Sequence, residues 1–299
     1  MERIQKKLLI IALIFIAGAE AKAQIYLRTE YITPSSLKDG DHEVNGKSDL
    51  QTIDFGANIP LSIKMDESNR PTSWSIVAGS TYASLNNKNQ AKDYAVSEIL
   101  NAQIGVMHVR PISAKWSIAA VLGVGVFTSD LNNISGRAIL AQGGILFVKQ
   151  QKPNFAWGAG VALNNALGYP MIFPSLYLDW QLNGRFEFNL SMYDSFNLSL
   201  GTKINEHFKL SLIGESNGLA AAVKREGKSQ FFIAQYGYVG LQPEFKIGKS
   251  ISIPVTAGVS FSRDVYFQKR TMKAFLEDKE DYPYFKTSAY FATGIKYGF

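Results

Sequence analysis

The residues able to do covalent or metal chemistry are few and scattered. The chain has no cysteine, and its three histidines are His42, His108 and His207. No spacing among them would set two ligands side by side, so a site built on Cys/His ligation is not expected. Gly-x-Ser-x-Gly, Gly-x-x-x-x-Gly-Lys and His-Glu-x-x-His do not occur in the sequence. The usual signs of a nucleophile elbow, a phosphate loop and a zinc protease are therefore missing. What remains is a set of ionisable residues in apolar runs: Asp179, Glu187, Lys203, Lys209, Glu244, Lys246, Lys286 and Lys296. In a strand these positions fall opposite the aliphatic and aromatic side chains. Charges of both signs on that face suit mutual pairing or the lining of a wet interior. No cofactor is expected.

The elements that would carry these residues are strands that alternate over long stretches. Ile53, Phe55, Ala57, Ile59, Leu61 and Ile63 form one apolar face, with Thr52, Asp54, Asn58 and Ser62 opposite. Trp116 to Val126, Phe155 to Leu163, Leu176 to Leu182 and Ile251 to Phe261 repeat the pattern. No run reaches the about 18 apolar residues that a membrane-crossing helix needs, whereas alternation of this kind is how a membrane-crossing strand reads. A mean hydropathy of -0.04 fits, because apolar and polar positions cancel in the average.

Short turns near 68, 113, 152, 184, 206 and 248 interleave with longer polar stretches near 42, 90, 132, 169, 194, 222 and 274. The expected fold is an all-β, transmembrane, up-and-down antiparallel β-barrel of about 14 strands. Apolar parity runs unbroken from Phe186 to Leu200, so a single long strand there, and about 12 strands in all, is the alternative. Trp74, Trp116, Trp157 and Trp180 all sit beside short turns on the outward parity. That is the place for an interfacial aromatic girdle.

Inward positions on the strands from Trp116 to Leu163 are small and uncharged: Ser117, Ala119, Val121, Gly123, Gly125, Ala156, Gly158, Gly160 and Ala162. A water-filled porin would be expected to line its wall with charges. Two readings follow. In the first, the wall is covered by a loop folded inward, for which Asn164–Pro174 with Leu167, Tyr169, Met171 and Phe173 is the candidate. In the second, it passes a greasy molecule with a polar end. The charged candidates for lining the lumen are Asp179, Glu187, Lys209, Glu244, Lys246, Lys286 and Lys296.

The N-terminus carries Arg3, Lys6 and Lys7, then an apolar run from Leu8 to Ala17, then Ala21-Lys22-Ala23. This reads as a secretory signal peptide over residues 1–23, cleaved after Ala23, with the barrel over 24–299. The net charge of +6 falls to about +4 without that segment, too weak and dispersed for nucleic acid.

The last residues, FKTSAYFATGIKYGF, place Phe299, Tyr297, Ile295, Thr293 and Phe291 on one face. With the signal peptide and the tight Asn183-Gly184 and Gly248-Lys249 turns, the chain resembles the outer-membrane β-barrels of Bacteroidetes-type bacteria, many of them in families of unknown function. The resemblance implies a Gram-negative outer membrane as location, with its lipid and lipopolysaccharide and the barrel-assembly machinery as partners. It makes Tyr297 and Phe299 the assembly signal. It also implies a passive channel for a small or amphipathic solute with a partly occluded lumen, or else a structural or adhesion barrel acting through its loops. Outer-membrane lipid hydrolases as a family use a Ser/His pair toward the outer leaflet. His108 falls at the other end, so an enzyme is not expected, and a membrane-embedded lipid-modifying enzyme such as a lipid hydrolase stands as the third alternative.

Overall fold

The computed structural model describes residues 23–165, 171–192, 195–225, 227–276 and 282–298. Among these, strands run in chain order: β1 (Gln24–Asp39), β2 (His42–Met65), β3 (Pro71–Asn89), β4 (Glu98–Pro111), β5 (Trp116–Thr128), β6 (Ile139–Lys152) and β7 (Phe155–Asn164). They continue with β8 (Met171–Leu182), β9 (Phe186–Met192), β10 (Phe196–Asn205), β11 (Phe208–Arg225), β12 (Lys228–Ile247) and β13 (Ile251–Lys269), and end with β14 (Tyr284–Phe285) and β15 (Ser288–Tyr297). Each pairs antiparallel with its neighbour in sequence. The pieces β14 and β15 both lie between β13 and β1, so they are one wall strand in two parts. Fourteen wall strands thus close the barrel. Met192 pairs with Phe196, so β9 and β10 are separate strands and the count of 12 is excluded.

The outward face follows the expected parity. On β2 it is apolar from Ile53 to Leu61, which matches the roughly 9–11 residues a tilted strand needs to cross a membrane; beyond it a register shift sets Ser62 opposite Trp74 and turns Ile63 to the other face. Toward the β1–β2 turn the same face becomes Gln51, Asp49, Lys47, Asn45 and Glu43. The apolar band therefore ends between Gln51 and Ile53. At the short-turn end a chain of rings marks the other border. Trp74 stacks on His108 at 4.2 Å, Trp116 meets Trp157 at 5.8 Å, and Trp180 meets Phe188 at 4.9 Å. Lys149 lies over both Trp116 and Trp157. All four tryptophans stand where an aromatic girdle belongs.

Wall height is uneven. β2 has 24 residues and β9 has 7. The stretches expected to be loops near 42 and 222 are instead strands meeting in tight hairpins, eased by positive φ at Gly40 (58°) and Gly227 (76°). Their polar sequence reflects strands that stand in water above the band.

Because β10 ends opposite Ser216, the upper edge of β11 loses its partner. Unpaired backbone groups need satisfaction. That edge leans across to the top of β4 and β5. The Asn101 amide donates to the Ala220 carbonyl at 2.6 Å, its oxygen accepts the Ala220 N–H at 3.3 Å, and Ala222 bridges to Thr128. Above the membrane band, β1–β5 and β11–β15 thereby close into a narrower barrel. Its inside is filled by Leu37, Leu50, Leu85, Ile99, Leu219, Phe232, Val265 and Phe285. A one-turn helix, Ala91–Tyr94, adds Ala91 to this core. Each fully buried Leu, Ile or Phe side chain contributes about 1.5–3 kcal/mol relative to exposure.

Candidate functional site

Below that filled barrel, toward the short-turn end, the lumen changes character. First comes a polar layer that spans it. Arg28 of β1 lies 3.2 Å from Glu30 and 3.5 Å from Asp54 of β2, and reaches Glu215 of β11 at 3.0 Å. One guanidinium serves three carboxylates, and hydroxyls supply the remaining donors. Tyr290 and Tyr236 donate to the two Glu30 oxygens at 2.7 and 2.6 Å, Thr52 donates to Glu30 and Thr81 to Asp54. Tyr238 donates to Glu215 and stacks on Tyr290 at 3.9 Å. Burial of so much charge is tolerable because nearly every oxygen is bonded.

Beneath and beside it lies a chamber of about 500 Å³. Tyr26, Asn58, Val77, Gln103, Val121 and Gln142 line it, with Gly56, Gly79, Gly105 and Gly123 between them. Gln142 donates to Gln103 at 2.7 Å. Val121 points inward and is still 41% exposed. The wall here is smooth for a reason internal to the sheet. A Cβ at Gly123 would lie 2.6 Å from the Ile104 carbonyl oxygen, and one at Gly160 would lie 1.9 Å from that of Ile145. Where the sheet curls this tightly, the neighbouring strand's backbone occupies the space a side chain would need. Apolar wall and convergent amides give the chamber the chemistry to hold a compact amphipathic molecule.

At the turn end the lumen is charged and internally paired. Glu187 takes Lys203 at 2.7 Å and Lys209 at 2.6 Å, and Glu244 stands opposite Lys209 in register. Lys246 and Lys296 lie on the inward parity of β12 and β15, and Asp179 on that of β8 accepts from Gln181 at 3.1 Å. Lys286 departs from expectation. It falls between β14 and β15 at the tall end, bonded to Glu43 across the β1–β2 hairpin, and does not line the lumen. The irregular stretch that splits the last wall strand breaks the alternation on which its assignment rested.

The inward-folded loop is corrected in part. Met171 and Phe173 belong to β8, paired with Asn164 and Ala162 of β7, so they face the lumen from the wall. Leu167 and Tyr169 lie outside the described residues. Tyr297 ends β15, paired with Ile25 and Ile251, as a closing strand requires. Phe299 lies outside the described residues. His108 is committed to Trp74 and to the Ser73 carbonyl at 3.0 Å. Among the described residues no group of acids and histidines could hold a metal ion.

Sequence reasoning missed the polar layer. Arg28 and Glu30 occupy alternate positions on β1 and share the parity that Asp54 has on β2, which was the available signal. Their partners come from β11, β12 and β15, and nothing local announces them.

A closed antiparallel wall with an apolar outer band and an aromatic girdle defines a transmembrane β-barrel of the outer-membrane type. Residues 19–298 match the family model described as a domain of unknown function, DUF6268, and the chain belongs to that family. No curated protein matches the chain in sequence. Among solved structures, the TodX monoaromatic hydrocarbon channel deltaS2 mutant is similar at 12% identity, with 94% of this chain and 91% of that one covered and a TM-score of 0.41. The transport unit of the autotransporter AIDA-I from Escherichia coli is similar at 12% identity over 94% and 92%, with a TM-score of 0.38. The NanC porin is similar at 8% over 91% and 98%, with a TM-score of 0.35.

Proposed function

We propose that this protein sits in the outer membrane, with its short turns in the periplasm, and passes a small amphipathic solute by a narrow passive route. The route runs on the β4–β10 side, because wall side chains fill the other side above the band. One observation carries the reading: Val121 points into the barrel and is 41% exposed, so the chamber is solvated. Its small apolar wall and the Gln103–Gln142 amides suit a solute with one greasy and one polar end. The signal peptide, with cleavage after Ala23, belongs to the same proposal.

The test is purified protein in planar bilayers and in liposomes, compared with Val121→Trp. The space at Val121 admits the larger ring, which would narrow the chamber, while Leu122→Trp on the outward face is the control. Expected are a small conductance and solute entry, both reduced in Val121→Trp and kept in Leu122→Trp. No conductance in the parent protein, or equal behaviour of all three, would overturn the channel.

A further inference from the structure

A second and larger cavity, about 1250 Å³, opens at the tall end of the barrel, away from the chamber. Its walls come from the helix after β3, the β5–β6 connection and the tip of the β11–β12 hairpin. Its sides are held in place. The Asn87 side chain donates to the Ala95 and Val96 carbonyls, and Thr128 donates to the carbonyl of Asp130. The Asp130 carboxylate accepts the N–H groups of Asn132 and Asn133, which commits it to its own loop.

Four cations from three segments line this one space, Lys92, Arg137 and the adjacent Lys224 and Arg225, against two acids, Asp93 and Asp130. Among the described residues no carboxylate comes within ion-pair distance of any of these cations. Arg270 donates to the Arg137 carbonyl and adds a further guanidinium beside a smaller adjoining cavity of about 410 Å³. Burial, and then the charge of Arg137, hold Arg270 below its ordinary value. Arg225 lies over the Phe267 ring at 4.3 Å, which fixes the plane of its guanidinium. Between the cations the lining mixes amides and hydroxyls, with Ser97, Ser129, Asn133 and Ser229 among them, with the Asp93 carboxylate and apolar residues such as Val96 and Phe267.

From this we infer that the tall-end cavity binds a soluble, multiply anionic saccharide from outside the cell. Cations at several points recognise carboxylate, sulfate or phosphate substituents, and the amides and hydroxyls between them bond to sugar hydroxyls. A cavity of this volume takes several sugar rings. The anionic sugars of lipopolysaccharide share this chemistry. The cavity opens between the helix after β3, the β5–β6 connection and the β11–β12 tip, above the apolar band, and the lipopolysaccharide arm of the experiment separates a lipid-anchored sugar from a soluble one.

The experiment uses the full mature protein in nanodiscs, titrated calorimetrically with a sulfated hexasaccharide, a neutral hexasaccharide of the same length, and rough lipopolysaccharide in micelles. The triple variant Lys92→Gln, Arg137→Gln, Lys224→Gln changes only exposed side chains. Expected are saturable binding of the sulfated sugar that weakens steeply with added salt, weaker binding of the neutral one, and a loss of roughly tenfold or more in the triple variant. The salt dependence is read on the parent protein and holds the proposal to account even if the variant fails to fold. Equal affinity for the neutral sugar, salt-independent binding, an unchanged triple variant, or binding confined to lipopolysaccharide would each overturn it.

Discussion

Replacing Arg28 by methionine is the most direct challenge to the polar layer. Methionine keeps much of the side chain's length and removes its charge. Glu30, whose side chain is 1% exposed, then faces Asp54 at 11% and Glu215 at 16% with no cation between them. Breaking a buried ion pair from one side costs about 3–5 kcal/mol. Arg28 itself retains 28% exposure, so water can enter the vacated space. That argues for the lower end, about 3 kcal/mol. Glu215→Gln is milder, roughly 1 kcal/mol, because Arg28 keeps Glu30 and Asp54. In the double variant the loss of Glu215 relieves part of the repulsion, so its cost falls between the two singles and the effects are not additive. Urea unfolding of the refolded protein, followed by tryptophan fluorescence and by heat-dependent gel mobility, gives all four stabilities. If Arg28→Met lies within about 0.5 kcal/mol of the parent protein, the layer is not what ties β1 and β2 to β11.

Three further outcomes are expected. Asn101→Leu strips the upper edge of β11 of its cap at Ala220, leaving unsatisfied backbone groups at about 1–3 kcal/mol; limited proteolysis should cut the β11–β12 hairpin faster than in the parent protein. Gly160→Val drives a side chain into the Ile145 carbonyl and should sharply reduce the folded, heat-modifiable form, whereas Gly218→Ala, with open space around it, should leave it unchanged. In the β2–β3 turn, the Arg70 backbone N–H and then its side chain hold Asp66 below the usual carboxylate range. A depressed value means that its stabilisation is present above the unfolded carboxylate value and is lost as pH falls through the folded one. The stability difference between the parent protein and Asp66→Asn should therefore shrink as the solution is acidified below the ordinary carboxylate range.

The membrane-facing half of the molecule was legible because lipid imposes one rule on every strand. From Ile53 to Leu61, from Trp116 to Val126 and through the closing strand, outward residues must be apolar, and period two follows. The four tryptophans could be placed from parity and turns alone for the same reason. Legibility failed where water replaces lipid. Residues Ser35 to Leu50 turn polar side chains such as Lys47 and Asn45 outward, and Ser216 to Arg225 turn out the small Gly218, Ala220 and Ala222, so their alternation is lost and they read as loops although they belong largely to strands. The glycines between Ser117 and Ala162 were visible, but their cause lies in the neighbouring strand's carbonyls. The polar layer stayed hidden because it is assembled from residues far apart in the chain.

That distance has a consequence for how the protein is made. Glu30 and Tyr290 are 260 positions apart, yet they share a hydrogen bond in the middle of the barrel. Arg28 waits for Glu215, which arrives 187 positions later. A nascent or truncated chain ending before the last strand holds Arg28, Glu30 and Asp54 together but lacks the Tyr290 hydroxyl that completes the layer. Such a chain has reason to keep its first strands open to solvent, and it gains little from premature closure around a smaller circumference. Only the finished polypeptide completes the layer, because Glu215, Tyr236, Tyr238 and Tyr290 all come from the later strands.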